Sequence, residues 1–116
     1  MRKTPFLTFT IIGLGHIGGS LARALKKVFK KQIQIIGVDK NKATLAKAKK
    51  TRAFTGLTSS LNSKTTKSSD IVFVCVSVDQ IHQVFMQLSK LGLKKGAIIT
   101  DVGSTKEAIL KNLIII

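Results

Sequence analysis

Apolar positions in this chain follow two alternating rhythms. From Phe6 to Ile12 the residues are β-branched or aromatic and run into glycines, as a buried strand does; Ile17, Leu21, Ala24, Leu25 and Val28 then recur at helical spacing. Gln32 to Val38 reads as a second apolar strand. Asn41 is placed to cap a lysine- and alanine-rich helix reaching about Arg52. Between Ala53 and Ser69 the rhythm fades into threonine, serine and lysine, with Phe54, Leu57 and Leu61 as the large apolar anchors. A short strand and an irregular connection are predicted there. Ile71 to Val76 is a continuous apolar run, the signature of a strand covered on both faces. Ile81, Val84, Phe85, Leu88 and Leu91 mark one face of the helix after it, which Ser77 and Gln80 would open at capping-box spacing and Gly92 would stop. Ala97 to Thr100 is a further strand, and Ser104 to Leu113 a last helix.

Strands alternating with helices imply parallel pairing, because each parallel connection needs a crossover that lands on a face of the sheet. The expected fold is α/β, a Rossmann-type doubly wound parallel sheet, with residues 1–116 forming a single dinucleotide-binding domain. No solenoid repeat or linker interrupts it. The chain closes on Leu113-Ile114-Ile115-Ile116, an apolar tail that suggests a following segment or a self-association surface. No apolar run approaches the roughly 20 residues that cross a bilayer, and the N-terminus lacks an export signal. The expectation is a cytoplasmic protein without a membrane partner.

A formal net charge of +15 raises nucleic acid as a partner. The distribution of charge weighs against it. Lys26, Lys27, Lys30 and Lys31 close the first helical segment and Lys47, Lys49, Lys50 and Arg52 the second, where cations suit the negative end of a helix dipole. Neither cluster is interleaved with aromatics. The same surface would still attract a small anionic ligand. Cys75, the chain's one cysteine, has no disulfide or metal-ligand companion and is expected to be a small core hydrophobe.

Gly13-Leu14-Gly15-His16-Ile17-Gly18 has the G-x-G-x-x-G form, follows a predicted strand and opens a predicted helix. In such a turn the first glycine permits the tight bend, the second lets the backbone approach a pyrophosphate, and the third lets the helix pack on the strand. The unpaired amides at the helix start then face the phosphates. Asp39 ends the next strand, where a carboxylate can accept from both hydroxyls of an adenine ribose and repel a 2′-phosphate. That favours NAD over NADP, although Lys40 and Lys42 could reach a phosphate if Asp39 swung aside. With His16, Ile17, Lys40 and Ser77 added, the candidate cofactor-binding set is Gly13, Gly15, His16, Ile17, Gly18, Asp39, Lys40 and Ser77. Ser104 stands three residues before Glu107, so spacing alone favours a helix cap; it also falls at the carboxyl edge of the sheet, where ligands of this architecture bind. No residues are spaced as metal ligands.

Taken together, Ile11 to Ala22, Ile36-Gly37-Val38-Asp39 and Thr100-Asp101-Val102-Gly103-Ser104-Thr105-Lys106 resemble the N-terminal nucleotide-binding domain of the prephenate and arogenate dehydrogenases. The resemblance implies an NAD-dependent oxidoreductase of tyrosine biosynthesis that oxidatively decarboxylates prephenate or arogenate. It implies that Ser104 contacts the reacting ring as a catalytic residue, with Lys106 nearby. The family's Gly-x-His-Pro-Met segment, whose histidine accepts the hydroxyl proton, and its helical substrate and dimerisation domain have no counterpart in these residues. The expectation is therefore a cofactor domain, truncated before its substrate domain, that binds NAD without turning over alone. A non-catalytic NAD-sensing module and the cofactor domain of another NAD(P)-dependent dehydrogenase are the alternatives.

Overall fold

In the computed structural model, which describes residues 7–101 and the backbone of Ile114 and Ile115, the elements run in the alternation that the apolar rhythm predicts. They are β1 (Leu7–Ile12), α1 (His16–Phe29), a 3-10 turn (Lys30–Gln32), β2 (Ile33–Val38), α2 (Lys42–Thr51), β3 (Gly56–Thr58), α3 (Ser63–Ser68), β4 (Ile71–Val74), α4 (Val78–Leu91), β5 (Ile98–Asp101) and β6 (Ile114–Ile115). The strands lie in the order β3-β2-β1-β4-β5-β6. The first five pair in parallel. This is a Rossmann-type doubly wound sheet. The chain winds outward from β1 to β3, then returns to the other side of β1 to continue with β4. That reversal opens a crevice at the carboxyl ends of β1 and β4, where Ile12 pairs with Val38 on one side and Val74 on the other.

Side chains that alternate along a strand divide the core in two. Phe9 and Ile11 of β1 join Ile33 and Ile35 of β2, Ala22 of α1 and Ala48 of α2 on one face. Phe9 meets Phe29 and Phe73 edge to face. On the other face Ile12, Val38, Val72, Val74 and Ile99 pack against Val84 and Leu88 of α4. Both faces being covered explains why the strands read as apolar runs. At the amino edge of the sheet Asp70 accepts from the Thr8 N–H at 2.7 Å and pairs with Lys94, tying the entries of β1, β4 and β5 together.

Four details differ from the sequence reading. β4 stops at Val74, two residues short of the apolar run. α3 was not anticipated: it is short and polar, starts where the Asn62 side chain accepts from the Thr65 N–H, and buries Thr66 beneath it. Ser77 is the first non-helical residue before α4 but makes no side-chain capping bond, so the expected capping box with Gln80 does not form. The Ile114–Ile115 backbone pairs antiparallel with β5 as an edge strand, a pairing the sequence reading did not anticipate. The expected helix from Ser104 to Leu113 lies outside the described residues. Among the described residues no helix is long and apolar enough to cross a membrane.

Candidate functional site

The chain leaves β1 at the carboxyl edge and must reverse over the sheet to begin α1. Gly13 makes the bend with φ +94°, and a Cβ there would stand 2.7 Å from the Cys75 carbonyl oxygen. The Gly13 N–H donates to the Val38 carbonyl at 2.8 Å and the Cys75 N–H to the Ile12 carbonyl at 2.7 Å, which clamps the turn between β2 and β4. A Cβ on Gly18 would come within 2.0 Å of the Gly13 carbonyl oxygen, so α1 approaches the turn at a distance that no side chain permits. Gly15 is a different case. Its φ of −71° is open to any residue, and a Cβ built on it would find no protein atom within 4 Å. Neither backbone geometry nor packing calls for glycine at position 15; the bare backbone there faces open space.

α1 begins at that point without a side-chain cap and without an acidic residue in its first turn. The amides of His16, Ile17 and Gly18 therefore precede the first intrahelical bond, from the Gly19 N–H to the Gly15 carbonyl at 2.9 Å. Asp39, at the end of β2, is held in place: one carboxylate oxygen accepts from the Leu14 N–H at 2.8 Å and the other from the Asn41 N–H at 2.9 Å. Each oxygen keeps lone-pair capacity for another donor. The helix-capping role at α2 belongs to Asn41, which accepts from the Thr44 N–H at 3.0 Å.

Gly13, Gly15, Asp39 and Lys40 line an open cleft of about 520 Å³, together with Ser59, Ser60 and Leu61 and, from α4, Gln80, Gln83, Val84, Gln87 and Lys90. The volume falls in the range that organic ligands occupy. Cys75 and Val76 form part of its floor. The expectation of Cys75 as a core residue is met only halfway: it packs against the α1-side core while also lining the cleft. Burial, and then the nearby Asp101 carboxylate, push its thiol up from an ordinary 9.0 to about 12, so it is a neutral wall rather than a nucleophile.

Of the remaining sequence candidates, Lys40 is in the cleft and Ile17 is exposed beside the turn at 49%. His16 points elsewhere, lining a second groove of about 310 Å³ between α1 and α2 with Arg23 and Lys47. Ser77 is exposed at the start of α4, outside the residues that line the cleft. Ser104 lies outside the described residues. Sequence reading missed the wall that α4 supplies. Its signal was the spacing of Gln80, Gln83 and Gln87 along one stripe, overlooked beside the stronger apolar stripe.

A glycine turn under bare helix amides, at the topological switch point and beside a fixed carboxylate, defines a Rossmann-type nucleotide-binding domain. Comparison with known proteins makes this specific. The family profile described as "Prephenate dehydrogenase, nucleotide-binding domain" matches residues 21–114, and the chain belongs to that family. The prephenate dehydrogenase of Lactococcus lactis is 32% identical over 103 residues, covering 87% of this chain and 27% of the relative. The crystal structure of prephenate dehydrogenase from A. aeolicus, in complex with hydroxyphenyl propionate and NAD+, superposes with a TM-score of 0.75 at 27% identity, over 90% of this chain and 36% of that one. Synechocystis arogenate dehydrogenase gives a TM-score of 0.74 at 28% identity, over 91% and 36%. The chain thus spans about a quarter to a third of the length of these relatives. The profile match starts at Leu21, beyond the glycine turn, so the turn's reading stands on its own geometry.

Proposed function

We propose that this chain is the NAD-binding part of a prephenate- or arogenate-dehydrogenase-like oxidoreductase, holding the adenosine and pyrophosphate portions of the cofactor between the glycine turn, Asp39 and α4. The observation that carries the reading is Gly15: a residue with no side chain at a position where the fold would accept one, facing a cleft beside uncapped helix amides. A pyrophosphate explains the missing side chain, because backbone amides can contact its oxygens only if no Cβ intervenes. Gly13 and Gly18 keep the turn and helix in register, Asp39 accepts from the ribose diol, and Ile17 and Lys40 border the phosphate and ribose. Because two backbone N–H groups hold the Asp39 carboxylate, it does not swing aside to let Lys40 take a 2′-phosphate. This supports NAD over NADP.

When bound, NAD+ supplies the hydride acceptor. The reacting ring would lie toward the carboxyl end of β5, where Ser104 follows three residues after Asp101, and the match to prephenate and arogenate dehydrogenases supports Ser104 as the residue contacting the ring hydroxyl. Among the described residues neither histidine, His16 or His82, lines the cleft. We therefore infer NAD binding without turnover for these residues alone, with prephenate or arogenate as the substrate of the whole enzyme. Titration calorimetry of the purified chain tests the reading. NAD+ binds more tightly than NADP+, and Gly15→Val abolishes the heat of NAD+ binding while the far-UV circular dichroism is unchanged. Absence of NAD+ binding by the unmodified chain would refute the proposal.

A further inference from the structure

One wall of the cleft carries chemistry that pyrophosphate and ribose do not use. α4 buries Val84 and Leu88 against the sheet, and the neighbouring stripe, Gln80, Gln83 and Gln87, faces the cleft. Steps of three and four residues place these side chains one above another on a single helix face. In a chain with a net charge of +15, three of the five glutamines fall on this stripe. Of the other exposed α4 positions, Val78, Asp79, His82, Met86 and Ser89 do not line the cleft, while Lys90 continues the stripe at its far end. The hydrogen bonds found among the described residues engage none of the three amides, so their donors and acceptors are free for a ligand.

On the NAD-binding reading the pyrophosphate lies at Gly15 and the ribose at Asp39, and a base extending from the sugar into the rest of the cleft meets the part that α4 lines. Leu61 and Val84 give the cleft apolar lining for a ring face, but apolar contact alone does not distinguish one purine from another. Discrimination requires hydrogen bonds at the ring edge. A glutamine amide, with a donor and an acceptor side by side, matches the N6 amine and N7 of adenine in a bidentate pair. A 6-keto purine presents two acceptors along that edge and leaves the amide's oxygen unpaired.

We propose that Gln83 and Gln87 read the N6/N7 edge of the cofactor's base and make this cleft selective for adenine over 6-keto purines. The proposal rests on the NAD-binding reading given above and adds base recognition to it. The test measures dissociation constants of the full chain for NAD+ and for nicotinamide hypoxanthine dinucleotide, which differ at the purine 6-position and N1. The unmodified chain is expected to prefer NAD+ by about three- to tenfold, the range of one net hydrogen bond. Gln83→Leu with Gln87→Leu brings the ratio to within about twofold of unity by weakening NAD+, with the melting temperature maintained because both positions are exposed. Met86→Leu, on the same helix but off the stripe, keeps the full preference. Equal affinity of the unmodified chain for the two dinucleotides, or a double variant that keeps the preference, overturns the base-reading role and leaves NAD binding standing. Failure of the unmodified chain to bind either dinucleotide overturns both.

Discussion

Three glycines in one turn have three separate physical justifications, and substitutions separate them. At Gly18 an added methyl would meet the Gly13 carbonyl oxygen at 2.0 Å, and backbone cannot yield as a flexible side chain does. Gly18→Ala is expected to cost about 3 kcal/mol in stability, at the upper end of overpacking penalties, read as a lowered midpoint in urea unfolding. At Gly15 an added Cβ meets no protein atom within 4 Å; Gly15→Val is expected to cost about 1 kcal/mol through poorer helix capping, yet to remove cofactor binding. A Gly15→Val variant as destabilised as Gly18→Ala would mean that the open space is a packing feature and not a ligand's place. Cys75 makes a second residue-scale case. Raised to about 12, its thiol is protonated at neutral pH. Iodoacetamide at pH 8 should alkylate it on the order of 1,000-fold more slowly than an unhindered thiol, in proportion to the thiolate fraction. Because the folded pKa lies above the unfolded value near 9, this thiol's contribution to stability is complete below pH 9 and is lost as pH rises toward 12. Cys75→Ala lacks that part of the alkaline decline.

The helix starts show a division of labour at the scale of elements. α2 and α3 each begin with an asparagine whose side chain accepts a backbone N–H, at 3.0 Å from Thr44 and 2.9 Å from Thr65. α1 and α4, the two helices that open beside the cleft, have no side-chain cap. Asn41→Ala should therefore cost about 1 kcal/mol in thermal or chemical unfolding, whereas Ser77→Ala should leave stability unchanged. Any weakening of NAD+ by Ser77→Ala then reports a contact with the cofactor, because no cap has been lost. The sequence revealed these elements unevenly. β4 was legible because burial on both faces leaves a continuous apolar run, β1 and β2 because they are rich in β-branched and aromatic residues, and α1 and α4 because burial on one face leaves a helical period. α3 was not, since it is held by its asparagine cap and by buried hydroxyls, Thr66 and Ser69, which leave no apolar rhythm. The glycine turn and Asp39 were legible because tight backbone geometry restricts the residue type. Gln83, Gln87 and Lys90 were not, because an exposed polar stripe looks the same whether it faces solvent or a cleft.

Across the whole molecule, a charge of +15 sets up a positive field that any anionic ligand feels before it makes a contact. That field favours the more highly charged NADP+, and Lys40 and Lys90 bring part of it to the cleft itself. Only local chemistry opposes it. In the proposed cofactor pose Asp39, pinned by the Leu14 and Asn41 amides, sets a carboxylate where a 2′-phosphate would sit, and juxtaposed like charges cost several kcal/mol. Replacing it by Asp39→Ser keeps a hydroxyl for the ribose and removes the repulsion. The unmodified chain should prefer NAD+ by at least about tenfold, and the variant at low salt should bind NADP+ as tightly as NAD+ or more so. Salt then separates the two influences. Between about 0.1 M and about 1 M the screening length falls from about 10 Å to about 3 Å, so the variant's gain for NADP+ should shrink with salt, while the NAD+ preference of the unmodified chain, set by groups in contact, holds. Dissociation constants for both cofactors at the two salt concentrations decide the matter. If Asp39→Ser still rejects NADP+ at low salt, the carboxylate is not the discriminating group, and the shape of the turn would have to be.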